Sequence, residues 1–162
     1  MIFVSVGTHE APFDRMLHAV HQLELGEDVI VQYGPSAIRS AGATEVEYLS
    51  FDQMVGYIRD ARAVVMHAGV GSVMVSLANG KRPIVMARLR EHGEHVDDHQ
   101  LELARRLDAH GLVTLVEDQG DLERALAAPE QAPGEMSGTP WLGNDLRTYL
   151  ADHLGDGAVA RG

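Results

Sequence analysis

The stretch Ala63–Gly80, AVVMHAGVGSVMVSLANG, constrains this chain more than any other. Its opening residues, Ala63–Met66, form a valine-rich run that packs well on a pleated surface and predict a buried strand. His67, Gly69, Gly71 and Ser72 come next, while Val70, Val73, Met74 and Leu77 recur at helical spacing until Gly80 stops the run. Strand, glycine loop and helix in that order aim free backbone N–H groups and a helix dipole at one point, which suits a phosphate. Glycine lets an anion reach the backbone where a Cβ would hold it off. For the loop alone, a tight turn that binds nothing is the competing reading. The common phosphate motifs do not fit. Val75 and Arg82 stand where a Walker loop around Gly80-Lys81 needs glycine and Ser/Thr, and Met74 stands where the dinucleotide fingerprint has its third glycine. His67 and Ser72 remain as side-chain donors, which points to a diphosphate.

The rest of the chain repeats the same strand-to-helix step. Met1–Val6 predicts the first strand, ending in Gly7-Thr8-His9-Glu10, and Pro12 opens a helix whose buried face is Phe13, Met16, Leu17, Val20, Leu23 and Leu25. Asp28–Tyr33 and Glu45–Leu49 predict the second and third strands, and Ser50 or Asp52 caps a helix over Gln53–Asp60. Beyond Gly80 come a fifth strand, Pro83–Ala87, a charged loop, Arg88–Glu94, and a helix from His95 to His110. Leu112–Val116 predicts a sixth strand and Asp121–Ala128 a helix opened by Asp121. Pro129–Pro140 reads as a loop, Leu142–Leu154 as a last helix beginning beside Trp141, and Gly155–Gly162 as a frayed tail. Such alternation predicts an α/β fold, a Rossmann-like parallel sheet with helices on both faces, as one domain over residues 1–155 and a tail over 156–162. Ligands on such sheets bind at the carboxyl ends of the strands, where the strand order reverses. His67–Ser72, Gly7–Glu10, Ser50–Asp52 and Arg88–Gln100 all belong to that edge.

Composition removes several function classes. A net charge of −11 argues against nucleic acid and against unaided binding to anionic lipid. The absence of cysteine excludes disulfides and thiolate metal sites and is compatible with a cytoplasmic location. No apolar run approaches the length of a membrane span.

Glu91–Gln100, EHGEHVDDHQ, is the second informative stretch. His95 and His99 lie one helical turn apart, a spacing that suits a metal with Asp98 or His92 beside them, yet Val96 holds the place where a hydrolytic zinc motif needs its base. Asp98 and Gln100 instead offer acceptors and donors suited to vicinal sugar hydroxyls. A solvated helix start is the bland reading.

HAGVGS followed by GEHVDDHQLELA resembles the nucleotide-sugar-binding, C-terminal half of GT-B glycosyltransferases of the MurG-like family 28. The short length, FVSVGT with PFDR near the start, and GEHVDDHQ are similar to small subunits of split, two-component bacterial exopolysaccharide glycosyltransferases. The catalytic subunit of the dolichol-linked N-acetylglucosaminyltransferase is a more distant likeness. The match runs over Met1–Gly111. The resemblance implies a donor-binding, catalytic subunit of an inverting transferase that uses a UDP-sugar, no other cofactor and no metal. It also implies a lipid-linked acceptor and a membrane-anchored partner subunit carrying the acceptor half, placing this chain in the cytoplasm beside the inner membrane. Gly7, Thr8, His67, Gly69, Gly71 and Ser72 inherit the diphosphate. Ser50, Phe51 and Met54 inherit the nucleoside, and Asp97, Asp98, His99 and Gln100 inherit the donor sugar. Val75 stands where the family has a ribose-binding glutamate, so that contact falls to Ser76 or Glu91. His9 and Glu10 are local candidates for the base, with an idle surface loop as the competing reading. Two other readings stay open: a non-catalytic UDP-sugar-binding or regulatory subunit, and a metal hydrolase built on His95 and His99.

Overall fold

The computed structural model describes residues 1–39, 42–129 and 132–134. Among these residues six strands, β1 (Ile2–Ser5), β2 (Val29–Gln32), β3 (Thr44–Val46), β4 (Ala63–His67), β5 (Ile84–Met86) and β6 (Thr114–Leu115), form one sheet. Its order is β3-β2-β1-β4-β5-β6, and every neighbouring pair is parallel. The order therefore reverses between β1 and β4, where Ser5 registers with Met66, so the loops leaving these strands emerge side by side.

Among the described residues five α-helices cover the sheet: α1 (Asp14–His21), α2 (Phe51–Asp60), α3 (Val70–Ala78), α4 (His99–Ala109) and α5 (Gln119–Ala127). Alternation along β1 assigns the faces. Ile2 and Val4 pack with Met16, Leu17 and Val20 of α1 and Leu122 and Leu126 of α5, whereas Phe3 packs with Ile58 of α2, Val73 and Leu77 of α3, and Leu107 of α4. Each fully buried apolar side chain of this kind contributes about 1.5–3 kcal/mol. Both faces are dry, so the strands read as unbroken apolar runs, and the carboxyl edge is left for chemistry.

Several boundaries differ from the sequence expectation. The third strand is Thr44–Val46, not Glu45–Leu49, because Gln32 and Gly34 both bond the Glu47 carbonyl and the chain then turns into the α2 cap. That cap is Ser50, whose hydroxyl accepts from Gln53 N while the Gln53 side chain accepts from Ser50 N. α4 starts at His99 rather than His95, since the Asp97 and Asp98 carboxylates accept from His99 N and Arg90 N and hold the preceding residues in turns. α1 starts at Asp14 rather than Pro12, and α5 is capped by Asp118 instead of opening at Asp121. The expected helix Leu142–Leu154, Trp141 and the tail lie outside the described residues.

Candidate functional site

β4 ends at His67, and its imidazole is wedged between the two glycine loops at the switch point. A Cβ on Gly7 or on Gly69 would collide with the His67 ring, so both glycines are required by the imidazole itself. Gly7 also has φ +78°, a left-handed backbone that only glycine adopts cheaply. Its turn is pinned by β1 and β2, with Gln32 Nε2 donating to Gly7 O at 2.9 Å and Ser5 Oγ accepting from Gly7 N at 3.3 Å. Gly71 differs, because a Cβ there would meet nothing within 4 Å. It sits in the first turn of α3, whose leading N–H groups point out of the same edge.

His67 Nδ1 accepts from Gly69 N at 2.8 Å, and Nε2 lies 3.3 Å from Ser72 Oγ. Burial, helped by the positive charge of Arg88 and by His9 and His95, pushes the His67 pKa down to about 3. The ring is therefore neutral at physiological pH, and its hydrogen bonds assign that hydrogen to Nε2. His67 Nε2–H and the Ser72 hydroxyl together make a donor pair beside the α3 N-terminus.

The cation behind this loop is Arg88, which was read from sequence only as part of a charged loop. It is fully buried, and its Nη atoms donate to Val6 O at 2.9 Å, Ala11 O at 2.9 Å, Pro12 O at 3.2 Å and Glu94 O at 3.3 Å. Its guanidinium lies over the Phe13 ring at 4.6 Å, while Nε has no partner among the described residues. Burial lowers its pKa to about 10, and the nearby Glu94 carboxylate opposes that shift. Glu94 is buried too, bonding Arg15 Nη2 at 2.9 Å, Arg15 Nε at 3.1 Å and Leu89 N at 3.0 Å. Gln100, expected to face a sugar, is buried with Oε1 accepting from Arg88 N at 3.3 Å.

A second cluster joins His9 to the β5–α4 loop. The His9 and His95 rings lie 5.2 Å apart. Asp97 bridges two imidazoles, with His95 Nδ1 at 3.1 Å and His99 Nδ1 at 2.9 Å. Burial works against ionising Asp97, but bonds from the His99 amide and ring and the nearby imidazoles outweigh it and lower its pKa. The His9 pKa is lowered by burial, Arg88 and His95, against the raising effect of Glu10. His95 and His99 thus spend Nδ1 on one carboxylate, and no group of three potential metal ligands occurs among the described residues.

The remaining expected residues are spread along the edge. Thr8 and Glu10 are exposed at the switch point, and Asp98 is exposed with its carboxylate on Arg90 N. Ser50, the α2 cap, and Phe51, the first residue of α2, are exposed, while Met54 turns inward against the core. Ser76 is fully buried and donates to Lys81 O, which removes it from ribose contact, whereas Glu91 is exposed. Arg88, Glu94 and Gln32 were missed as site residues, and only a charged or amide side chain next to a strand end hinted at them.

Solved structures similar to this fold include GT-B glycosyltransferases. They include the calicheamicin glycosyltransferase CalG4 (TM-score 0.57, 16% identity, 78% of this chain and 34% of that one) and SnogD from Streptomyces nogalater (TM-score 0.53, 17% identity, 78% and 34%). The glycotransferase of kitacinnamycin aligns over 91% of this chain and 37% of its own, with TM-score 0.56 and 14% identity. The family model for the glycosyltransferase family 28 C-terminal domain matches residues 1–134, and the chain belongs to that family. It is also 38% identical over 56 residues to a UDP-N-acetylglucosamine transferase subunit ALG13 from Yarrowia lipolytica (strain CLIB 122 / E 150), covering 35% of this chain and 26% of that protein. The chain thus aligns with about a quarter to a third of the length of these relatives. Among the described residues no helix is long and apolar enough to cross a membrane.

Proposed function

We propose that this chain is the donor-binding, catalytic subunit of a UDP-sugar-dependent glycosyltransferase. One observation carries the reading: a neutral His67 held as an Nε2–H donor beside Ser72, with a Cβ-free gap at Gly71 on the α3 N-terminus. Those groups meet the diphosphate oxygens, where charge grows as the bond to the sugar breaks, and the buried Arg88 cation adds its field from behind. Such a constellation stabilises the departing UDP without a metal. The exposed Ser50–Phe51 segment is the place for the uracil, and the segment Asp97–Gln100 for the donor sugar. The acceptor hydroxyl attacks opposite the leaving group, so the transfer inverts the anomeric centre.

The relative named as a transferase subunit supports a partner that supplies the acceptor half. We place that partner at the membrane, presenting a lipid-linked saccharide in exopolysaccharide synthesis. Calorimetric titration with UDP, dTDP, GDP and UDP-sugars, with and without EDTA, tests the donor assignment. Selective, EDTA-insensitive binding of uridine ligands is expected. Equal affinity for the three diphosphates, or binding abolished by EDTA, refutes it.

A further inference from the structure

Three imidazoles meet at the switch-point edge, and their hydrogen bonds sort them into two kinds. His67 and His9 each accept a backbone N–H at Nδ1, from Gly69 at 2.8 Å and from Ala11 at 3.0 Å. A neutral ring that accepts at Nδ1 carries its hydrogen on Nε2, so both present donors to the edge and neither presents a free lone pair. This bears directly on His9, a candidate base by its position. Its only lone pair is held by its own loop.

His95 is the opposite case. Its Nδ1 lies 3.1 Å from Asp97 Oδ1, and a carboxylate only accepts, so the hydrogen sits on Nδ1 and the lone pair on Nε2. The Asp97 amide also approaches Nδ1, at 3.4 Å, but the shorter, charge-assisted contact decides the tautomer. Asp97 is in turn fixed by His99, whose ring bonds Oδ2 at 2.9 Å and whose amide bonds Oδ1 at 3.1 Å. Of the two imidazoles on this carboxylate, the His95 side chain is 12% exposed and lies against His9, whereas that of His99 is 56% exposed. His95 is therefore the enclosed one, beside His9.

We propose that this chain carries its own general base, His95 Nε2, with Asp97 as the positioning residue; the proposal rests on the donor-binding reading above. The acceptor oxygen forms its bond to the anomeric carbon while its proton passes to His95 Nε2. The bond from that carbon to the diphosphate oxygen breaks, and its electron pair leaves with UDP toward His67 Nε2–H and Ser72. Asp97 stabilises the imidazolium, which later returns its proton to solvent. The charged and titratable groups around His95 are His9, Glu10 and Asp97, with His67, Arg88 and His99 behind them.

The test uses the full chain with UDP-galactose and UDP-glucuronate, following UDP release with water or added membranes as acceptor, beside calorimetry of the same donors. H95Q is expected to lower turnover by about 100-fold or more with donor affinity within about twofold, as loss of a general base does. It should also flatten the acidic limb of the pH–rate profile. D97N should lower turnover by about tenfold and shift that limb. Nitrogen-15 spectra of the side-chain imidazoles should show hydrogen on Nδ1 of His95 and on Nε2 of His9 and His67. Turnover by H95Q within threefold of wild type, or a hydrogen on His95 Nε2 in the free protein, overturns the proposal. Failure of the wild type to bind any UDP-sugar instead defeats the donor reading, and the tautomer measurement still judges His95 on its own.

Discussion

Gly71→Ala should make the protein more stable and a poorer binder at once. Gly71 is the second residue of α3, its φ is not positive, and an added Cβ would meet no atom within 4 Å. Alanine therefore fits the backbone without strain, and replacing a helical glycine is worth about 0.5–1 kcal/mol. For a chain of this size that raises the melting temperature by roughly 2–4 °C per kcal/mol. The space the methyl enters lies beside Ser72 on the N-terminal turn of α3, where we propose that the diphosphate binds. Holding an anion off those N–H groups should weaken UDP by tenfold or more, about 1.4 kcal/mol. Gly69→Ala is the contrast, since its Cβ collides with the His67 ring and overpacking of that kind costs about 1–3 kcal/mol. Thermal melts without ligand and UDP titrations on both variants separate the two effects. If Gly71→Ala binds UDP like the wild type, the phosphate does not approach the α3 N-terminus and the site argument fails.

Acid sensitivity follows from His67. Its folded pKa of about 3 is below the ordinary imidazole value of 6.5, so between these values the unfolded chain binds the extra proton. Stability from this group is full above pH 6.5 and is lost progressively as pH falls toward 3; urea midpoints should decline over that window, and less steeply in His67→Gln. Removing the buried guanidinium in Arg88→Ala strips four carbonyls of their donor and should cost about 3–5 kcal/mol, read as a lower denaturant midpoint. Ser50→Ala loses the hydroxyl half of the capping box, keeps the backbone N–H bond to the Gln53 side chain, and should cost about 1 kcal/mol, with UDP affinity unchanged if the uracil is met by main chain. A tenfold loss of UDP affinity in Ser50→Ala would assign the contact to the hydroxyl.

The sheet was legible because its strands are buried on both faces and therefore stand out as apolar runs between glycine turns. The strand–loop–helix over Ala63–Gly80 was legible for the same reason, but the purpose of its glycines was not. Gly69 is glycine because an imidazole leans on it, a contact made by a side chain that local pattern does not orient. The start of α4 was placed too early because His95–Gln100 has helical spacing, while the Asp97 carboxylate binds the amide that opens the helix later. Arg88 was hidden for a different reason. Arginine beside other charges reads as solvated, and what buries it are carbonyls of Val6, Ala11 and Pro12, some 76–82 residues earlier in the chain. Pairing at that range leaves no periodicity to detect. His95 was noticed, yet only as a metal ligand, since its tautomer depends on which atom of Asp97 it meets.

The four carbonyls on Arg88 come from both ends of the β1–α1 loop and from the β5–α4 loop, so one cation welds two loops into a single block. His9 rides on one of those loops and His95 on the other, with their rings in contact. Neither can swing toward a substrate without carrying the other and breaking bonds to a buried charge. A ligand reaching this edge therefore meets loops already fixed relative to one another, and the edge itself behaves as the anvil.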